Sequence, residues 1–344
     1  MSLDRPDLSH VPEAVLAYIE TLEAEIERLR QRPDEETREE MPLEPSEPPT
    51  TINLVTISAQ GMAKRTPRHF YLRQRRSGMG IFDLDSNEDD PPKFLAIADE
   101  TAGLLLMTDH GRAFRLPLSE LVESPVRSRG RALRELFPLR SDERLALAIA
   151  DQGGAYLALV TERGQLRRIG SQYLGKSLQP GTVLYNIKEG GPPAAACWTT
   201  GNDELLIVTR SGQGIRFSER LVPLRGCLGI RVDPDDVVTG VAAAEASGGA
   251  FLLGADGKGT VRLLNGFGAN KSPGAGGKTV MKSDALVGAV AVGPGHDLFV
   301  ISRLGKIIRF QAAEVPAKEG VVQGVNCMAL RADECVAVVG CAVA

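Results

Sequence analysis

The stretch DELLIVTRSGQGIRFSE, residues 203–219, runs from an apolar strand through a polar turn at Gly212 into a second strand, where Arg216 stands between Ile215 and Phe217. A glycine turn between two such runs reads as a β-hairpin. The unit recurs along the chain as LVTISAQGMAKRTP, LLLMTDHGRAFRLP, LALVTERGQLRRIG, LLIVTRSGQGIRFS, FLLGADGKGTVRLL and LFVISRLGKIIRFQ. The turn glycines are Gly61, Gly111, Gly164, Gly212, Gly257 and Gly305, spaced 50, 53, 48, 45 and 48 residues apart. After each hairpin come a glycine-containing loop, a short strand such as VLYNI or GIRVD, an acidic turn such as DPDD or RADE, and a valine- or alanine-rich strand such as VVTGVAAA. Four strands in about 49 residues make one propeller blade. Residues 51–344 are therefore expected to form an all-β, six-bladed, propeller-like disc.

In five hairpins the residue four beyond the turn glycine is arginine: Arg65, Arg115, Arg168, Arg216 and Arg309. The fifth repeat has one extra residue and carries Arg262 at plus five. Strand side chains alternate faces, so an arginine between apolar neighbours is expected opposite the core, and equivalent positions in six blades form a ring. Further cations accompany it: Lys64, Arg112, Arg167 and Lys306 in the hairpins, Arg129 and Arg131 in the second loop, Arg225 and Arg231 in the fourth. Such a belt suits a phosphate backbone, which needs positive charge and no base reading. The densest run, KRTPRHFYLRQRR (64–76), holds six cations and no acid if His69 is neutral. It leads into RQRRSGMGIFD (73–83), where Gly78 and Gly80 let backbone amides approach an anion and Arg75 and Arg76 supply charge.

The net charge of −4 divides unevenly: residues 1–50 carry 14 acidic and 5 basic side chains, leaving the repeats net positive at +5. Residues 1–10 are expected to be disordered. In VPEAVLAYIETLEAEIERLRQR (11–32), Val15, Ile19, Leu22, Ile26 and Leu29 follow steps of 4 and 3, a heptad seam with β-branched residues at a and mostly leucine at d. Two readings stand: a coiled-coil homodimer, or one amphipathic helix docked on its own domain. Residues 33–50, rich in proline and glutamate, read as an extended mobile linker. Five cysteines without CxxC spacing argue against a disulfide framework. No stretch approaches the roughly 18 apolar residues of a membrane helix, and the N-terminus lacks a signal-peptide pattern. The expected location is cytoplasmic, on the nucleoid.

The repeats resemble the C-terminal domain of the gyrase A protein of DNA gyrase, a six-repeat β-pinwheel that wraps DNA. That family's signature heptapeptide, the gyrase-A box, reads Gln, basic, Arg, Gly, Gly, basic, Gly in the first blade. Here QRRSGMG matches at Gln74, Arg75, Arg76, Gly78 and Gly80, and departs at Ser77, where glycine is usual, and at Met79, where a cation is usual. GMAKRTP, GRAFRLPLSEL, RSRGRALRELFPL, DELLIVTRSGQGIRFSE and RGCLGIRVDPDDVV look like successive blades of that domain, so the resemblance covers residues 51–344. It implies a double-stranded-DNA-binding module, acting alone or with a type IIA topoisomerase, that binds firmly but wraps less tightly because of Ser77 and Met79. It implies no catalytic residue: the family's cleavage tyrosine belongs to a separate large domain that does not fit in the first 50 residues, and Tyr18, Tyr71, Tyr156, Tyr173 and Tyr185 inherit no such role.

Other motifs read as decoys. SPGAGGKT (272–279) falls one residue short of a phosphate-binding P-loop and has no helix to follow it. It looks like the fifth blade's counterpart of the box, with Lys278 facing DNA. DLDSNEDD (83–90) lacks the glycine and distal glutamate of a calcium loop and reads as a solvated acidic turn. Four scattered histidines give no metal site, and no cofactor is expected. The rival reading from another class is a propeller that serves as a protein-interaction scaffold.

Overall fold

The structure is a computed structural model and describes residues 12, 15, 18–21, 47–245, 248–293 and 295–342. The chain divides into two compact units, 1–44 and 45–344. In the first, Val15 and Ile19 are in helical conformation, and Leu22, Ile26 and Leu29 lie outside the described residues.

The second unit is a six-bladed all-β propeller. In blade 1, Ile52–Ser58 pairs antiparallel with Met62–Pro67 on one side and Pro92–Asp99 on the other. Blades 2 to 6 repeat this order around the strands Gly103–Thr108, Tyr156–Thr161, Glu204–Thr209, Gly249–Gly254 and His296–Ser302. Four of the six hairpins close by one device. Ser58, Thr108, Thr161 and Ser302 end their strands, and each hydroxyl accepts from the backbone N–H four residues on, at 2.9, 3.3, 3.1 and 3.2 Å. The turn glycine between them takes a positive φ in all six repeats, which costs an L-residue about 1–2 kcal/mol. The valine- and alanine-rich strands are innermost and contact one another around the axis. Their small side chains, such as Ala96, Ala148, Ala196, Ala242 and Ala289, let six strands converge there.

The outermost strand of each blade comes from the next repeat, not from its own. Arg131–Ala132 completes blade 1, Thr182–Val183 blade 2, Cys227–Leu228 blade 3 and Lys278–Thr279 blade 4. Blade 5 receives both Ala317–Lys318 and Val325–Asn326. Blade 6 receives Ile81–Phe82 from the first repeat, and this closes the ring. A separate buried apolar cluster fills each of the six interfaces between blades, including Leu54, Tyr71, Phe299 and Ile301 between the first and last.

Two further sequence expectations are corrected. The linker was expected to reach residue 50, but Glu47 is fixed to the disc by ion pairs with Arg68 at 2.9 Å and Arg309 at 2.6 Å. In the turn at 83–90, expected to be solvated, residues 85–89 are exposed but Asp83 is fully buried. Its carboxylate meets Lys64 Nζ at 2.7 Å and accepts from Thr56 Oγ1 and Tyr71 Oη, both at 2.6 Å.

Candidate nucleic-acid interface

The arginine register does not face solvent. Both faces of every blade pack on neighbouring blades, so the face opposite one core is the face of the next. Arg309, 1% exposed, donates to Asp297, to Glu47 and to the backbone carbonyls of Arg68 and Tyr71 in blade 1. Arg216 is likewise buried, paired with Glu204 at 3.1 Å and donating to the carbonyls of Leu264 and Phe267 in the next repeat. Arg65 donates to Leu121 O, Arg115 pairs with Asp151 at 2.9 Å, and Arg168 lies 3.7 Å from Glu219 and over the Tyr156 ring. Arg65, Arg168, Arg216 and Arg309 thus join one repeat to the next, while Arg115 ties its hairpin to the end of its own blade. Arg262, displaced by one residue, takes the opposite face of its strand, as a one-residue shift requires. It is opposite Ala250, is 4% exposed, and its Nε and Nη1 have no hydrogen-bond partner among the described residues.

Several companions are structural too. Lys64 is 1% exposed and, besides Asp83, donates to the carbonyls of Pro125 and Val126. Burial pulls its pKa below the ordinary value in spite of Asp83, and burial with that same carboxylate drives the Tyr71 phenol well above its own. Arg112 is paired with Glu143 at 2.6 Å and Arg167 with Glu189 at 2.8 Å. Lys306 stands over the exposed Phe82 ring.

The exposed cations lie instead on the crossover loops, which run at the circumference from the second strand of one blade to the edge of the preceding one. A glycine with positive φ ends each loop: Gly80, Gly130, Gly181, Gly226, Gly277 and Gly324. A Cβ at Gly80, Gly130, Gly226, Gly277 or Gly324 would stand 2.5–2.8 Å from a backbone carbonyl oxygen of the adjoining strand, so the loop presses its backbone on the sheet and turns its side chains outward. Among the predicted residues Arg75, Arg129 and Arg225 are exposed on these loops, Arg131 and Lys278 on the edge strands that follow them, and Arg231 just past the edge strand of blade 3. Only Arg131 is ion-paired among the described residues, to Glu135 at 3.1 Å. The sequence reading missed Arg127, Lys176, Lys271 and Lys318, which are exposed on the same loops. Their signal was a place three to six residues before a second set of repeating glycines.

The QRRSGMG segment is the seam of the ring. Gln74 N donates to Arg309 O at 2.8 Å, Ser77 N to Cys327 O at 2.9 Å, and Ala329 N to Gly78 O at 2.9 Å. Arg76 is spent on the last repeat, its Nε on Glu314 O at 3.0 Å and its Nη1 on Asn326 O at 3.1 Å. Ser77 adopts φ 71°, a left-handed conformation that explains why glycine suits this position, and its hydroxyl offsets the strain by donating to Asn326 O at 2.7 Å.

A model of the DNA gyrase C-terminal domain, a β-propeller, matches residues 53–90, 104–149, 203–245 and 296–343, together about half of the chain. The chain belongs to this family. The gyrase A protein of Mycolicibacterium smegmatis DNA gyrase is 29% identical over 293 residues, covering 80% of this chain and 34% of the relative. Its Pseudomonas aeruginosa counterpart is 26% identical over 340 residues, covering 82% of this chain and 36% of the relative. The chain thus spans about a third of the length of these relatives. Among solved structures, a DNA gyrase A C-terminal domain superposes with TM-score 0.74 at 20% identity, covering 83% of this chain and 98% of that one. The C-terminal domain of a DNA topoisomerase IV gives 0.59 at 17% identity, covering 85% and 93%. Within this gyrase C-terminal-domain fold, then, the box-like heptapeptide has a structural duty, bonding repeat 1 to repeat 6, that is distinct from any contact with a ligand.

Glu47 ties the segment before the disc to the same seam. Burial alone would raise its carboxyl, but the hydrogen bonds and charges of Arg309 and Arg68 outweigh burial and hold its pKa below the ordinary 4.5. A depressed folded-state pKa contributes stability above the unfolded value that is lost as pH falls through the folded one. The urea midpoint of the wild type is therefore expected to drop as pH is lowered below about 4.5, and Glu47→Gln to drop less over the same window.

Proposed function

We propose that this chain binds double-stranded DNA along the outer rim of the disc, gripping phosphates with the crossover-loop cations, and that it works in DNA topology alone or beside a type IIA topoisomerase. The observation that carries the reading is the set of exposed cations on the loops of all six repeats, from Arg75 through Arg129, Lys176, Arg225 and Lys278 to Lys318. Side chains that carry positive charge without base-edge geometry suit backbone contact, which is insensitive to sequence. The DNA gyrase relatives favour DNA over other polyanions as the ligand. Arg76, held by the seam, and Met79, an apolar residue in the box, leave the heptapeptide with one exposed cation, Arg75, so binding rests on the rim as a whole.

Lysine acetylation read by mass spectrometry, with and without duplex DNA at low salt, tests this. Lys176, Lys271, Lys278 and Lys318, from the third, fifth and sixth repeats, are expected to be protected together. Protection confined to one repeat, or none at saturating DNA, would contradict a rim path.

A further inference from the structure

Five of the six blade edges are polar or carry small or singly apolar residues around their rim glycine, and one is not. The residue before and the two after the glycine are Arg129, Arg131 and Ala132 on blade 1; Pro180, Thr182 and Val183 on blade 2; Arg225, Cys227 and Leu228 on blade 3. They are Gly276, Lys278 and Thr279 on blade 4, and Gln323, Val325 and Asn326 on blade 5. On blade 6 they are Met79, Ile81 and Phe82, which are 54%, 40% and 51% exposed. Three large apolar side chains in four consecutive residues are held in water, where each of the other five edges exposes at most one.

We infer that the blade 6 edge, Met79 to Phe82, is an apolar wedge that enters the minor groove of bound DNA and unstacks a base step. The inference rests on the rim-binding reading above. Phe, Met and Ile are side chains that enter between base steps and kink a duplex, provided the surrounding surface holds the backbone on either side. Here the surroundings are cationic: Lys306 and Arg127 lie 5.3 and 5.7 Å from the centre of the Phe82 ring, and Arg75 is exposed four residues before Met79. That charge selects a polyanion as the occupant over an apolar protein face.

The edge is also rigid, as a wedge must be to recover the unstacking cost. Ile81 and Phe82 are paired with Ile307 and Lys306, and a Cβ at Gly80 would stand 2.6 Å from Ile307 O, so the turn that presents Met79 is pressed against the sheet. Gly78 and Ser77 are bonded to the last repeat just before it. One wedge at the seam gives the disc a single kink site per circuit, while the crossover loops around the disc supply charge.

The test uses the full chain and a duplex of about 40 base pairs carrying 2-aminopurine at TA steps, which unstack most readily. Anisotropy reports binding and 2-aminopurine fluorescence reports unstacking. Wild type is expected to raise the fluorescence as it saturates the duplex. Met79→Gln/Phe82→Gln, with an unchanged urea midpoint, is expected to abolish most of that rise and keep affinity within about threefold, since phosphate contacts dominate binding. Saturated wild type without a rise, or an undiminished rise with the double variant, overturns the wedge; the former assigns the apolar edge to protein docking. Absence of any anisotropy change at low salt removes the rim reading itself, and is seen before fluorescence is consulted.

Discussion

Replacing Asp83 by alanine is expected to cost the disc about 3–5 kcal/mol, the range for removing one partner of a buried ion pair. The carboxylate is 0% exposed and holds three donors, Lys64, Thr56 and Tyr71. Without it the Lys64 ammonium keeps only the carbonyls of Pro125 and Val126, and two hydroxyls lose their acceptor. That loss is a large fraction of the roughly 5–15 kcal/mol that stabilises a native domain. Removing both charges avoids the unpaired ion, so Lys64→Met/Asp83→Ala is expected to cost clearly less than Lys64→Met and Asp83→Ala together. Urea unfolding of the four proteins measures this. A loss below about 1 kcal/mol for Asp83→Ala would place Asp83 outside the class of buried paired charges.

The second large effect is on DNA. Changing Arg129, Arg225, Arg231 and Lys278 to glutamine removes four exposed cations from the crossover loops and outer edges of blades 1, 3 and 4. If each meets a phosphate, the slope of log affinity against log salt falls in magnitude by about 3–4, and affinity at moderate salt falls on the order of 100-fold. Stability should change little, because none of the four is ion-paired among the described residues. Arg216→Met is the complementary variant: it breaks the pairing with Glu204 and the bonds to Leu264 and Phe267, so it should lower stability and leave the salt slope unchanged.

The sixfold hairpin was legible because Gly61 and its counterparts recur at nearly constant spacing and sit where the backbone needs a positive φ. Strand exchange was not, because an outermost strand of two residues, such as Arg131–Ala132 or Ile81–Phe82, has no periodicity to read and its partner belongs to a different repeat. The arginine register was legible as a pattern and misread as a surface. Period two shows that Arg216 and Ile215 face opposite ways; it does not show that both directions lead into protein. Continuous apolar runs such as LLIV at 205–208 carry that information, since a strand buried on both faces loses its alternation. Once the arginines are assigned to the joints between blades, the rim cations remain, and they sit in glycine loops where sequence alone fixes neither direction nor exposure.

DNA binding along the rim is tested by one comparison: duplex affinity of wild type and of the Arg129, Arg225, Arg231 and Lys278 glutamine variant, each titrated at several salt concentrations. The predicted result is a steep linear loss for wild type and a slope shallower by about 3–4 for the variant. Equal slopes for the two proteins, or a wild-type affinity indifferent to salt, would contradict a DNA path along the rim.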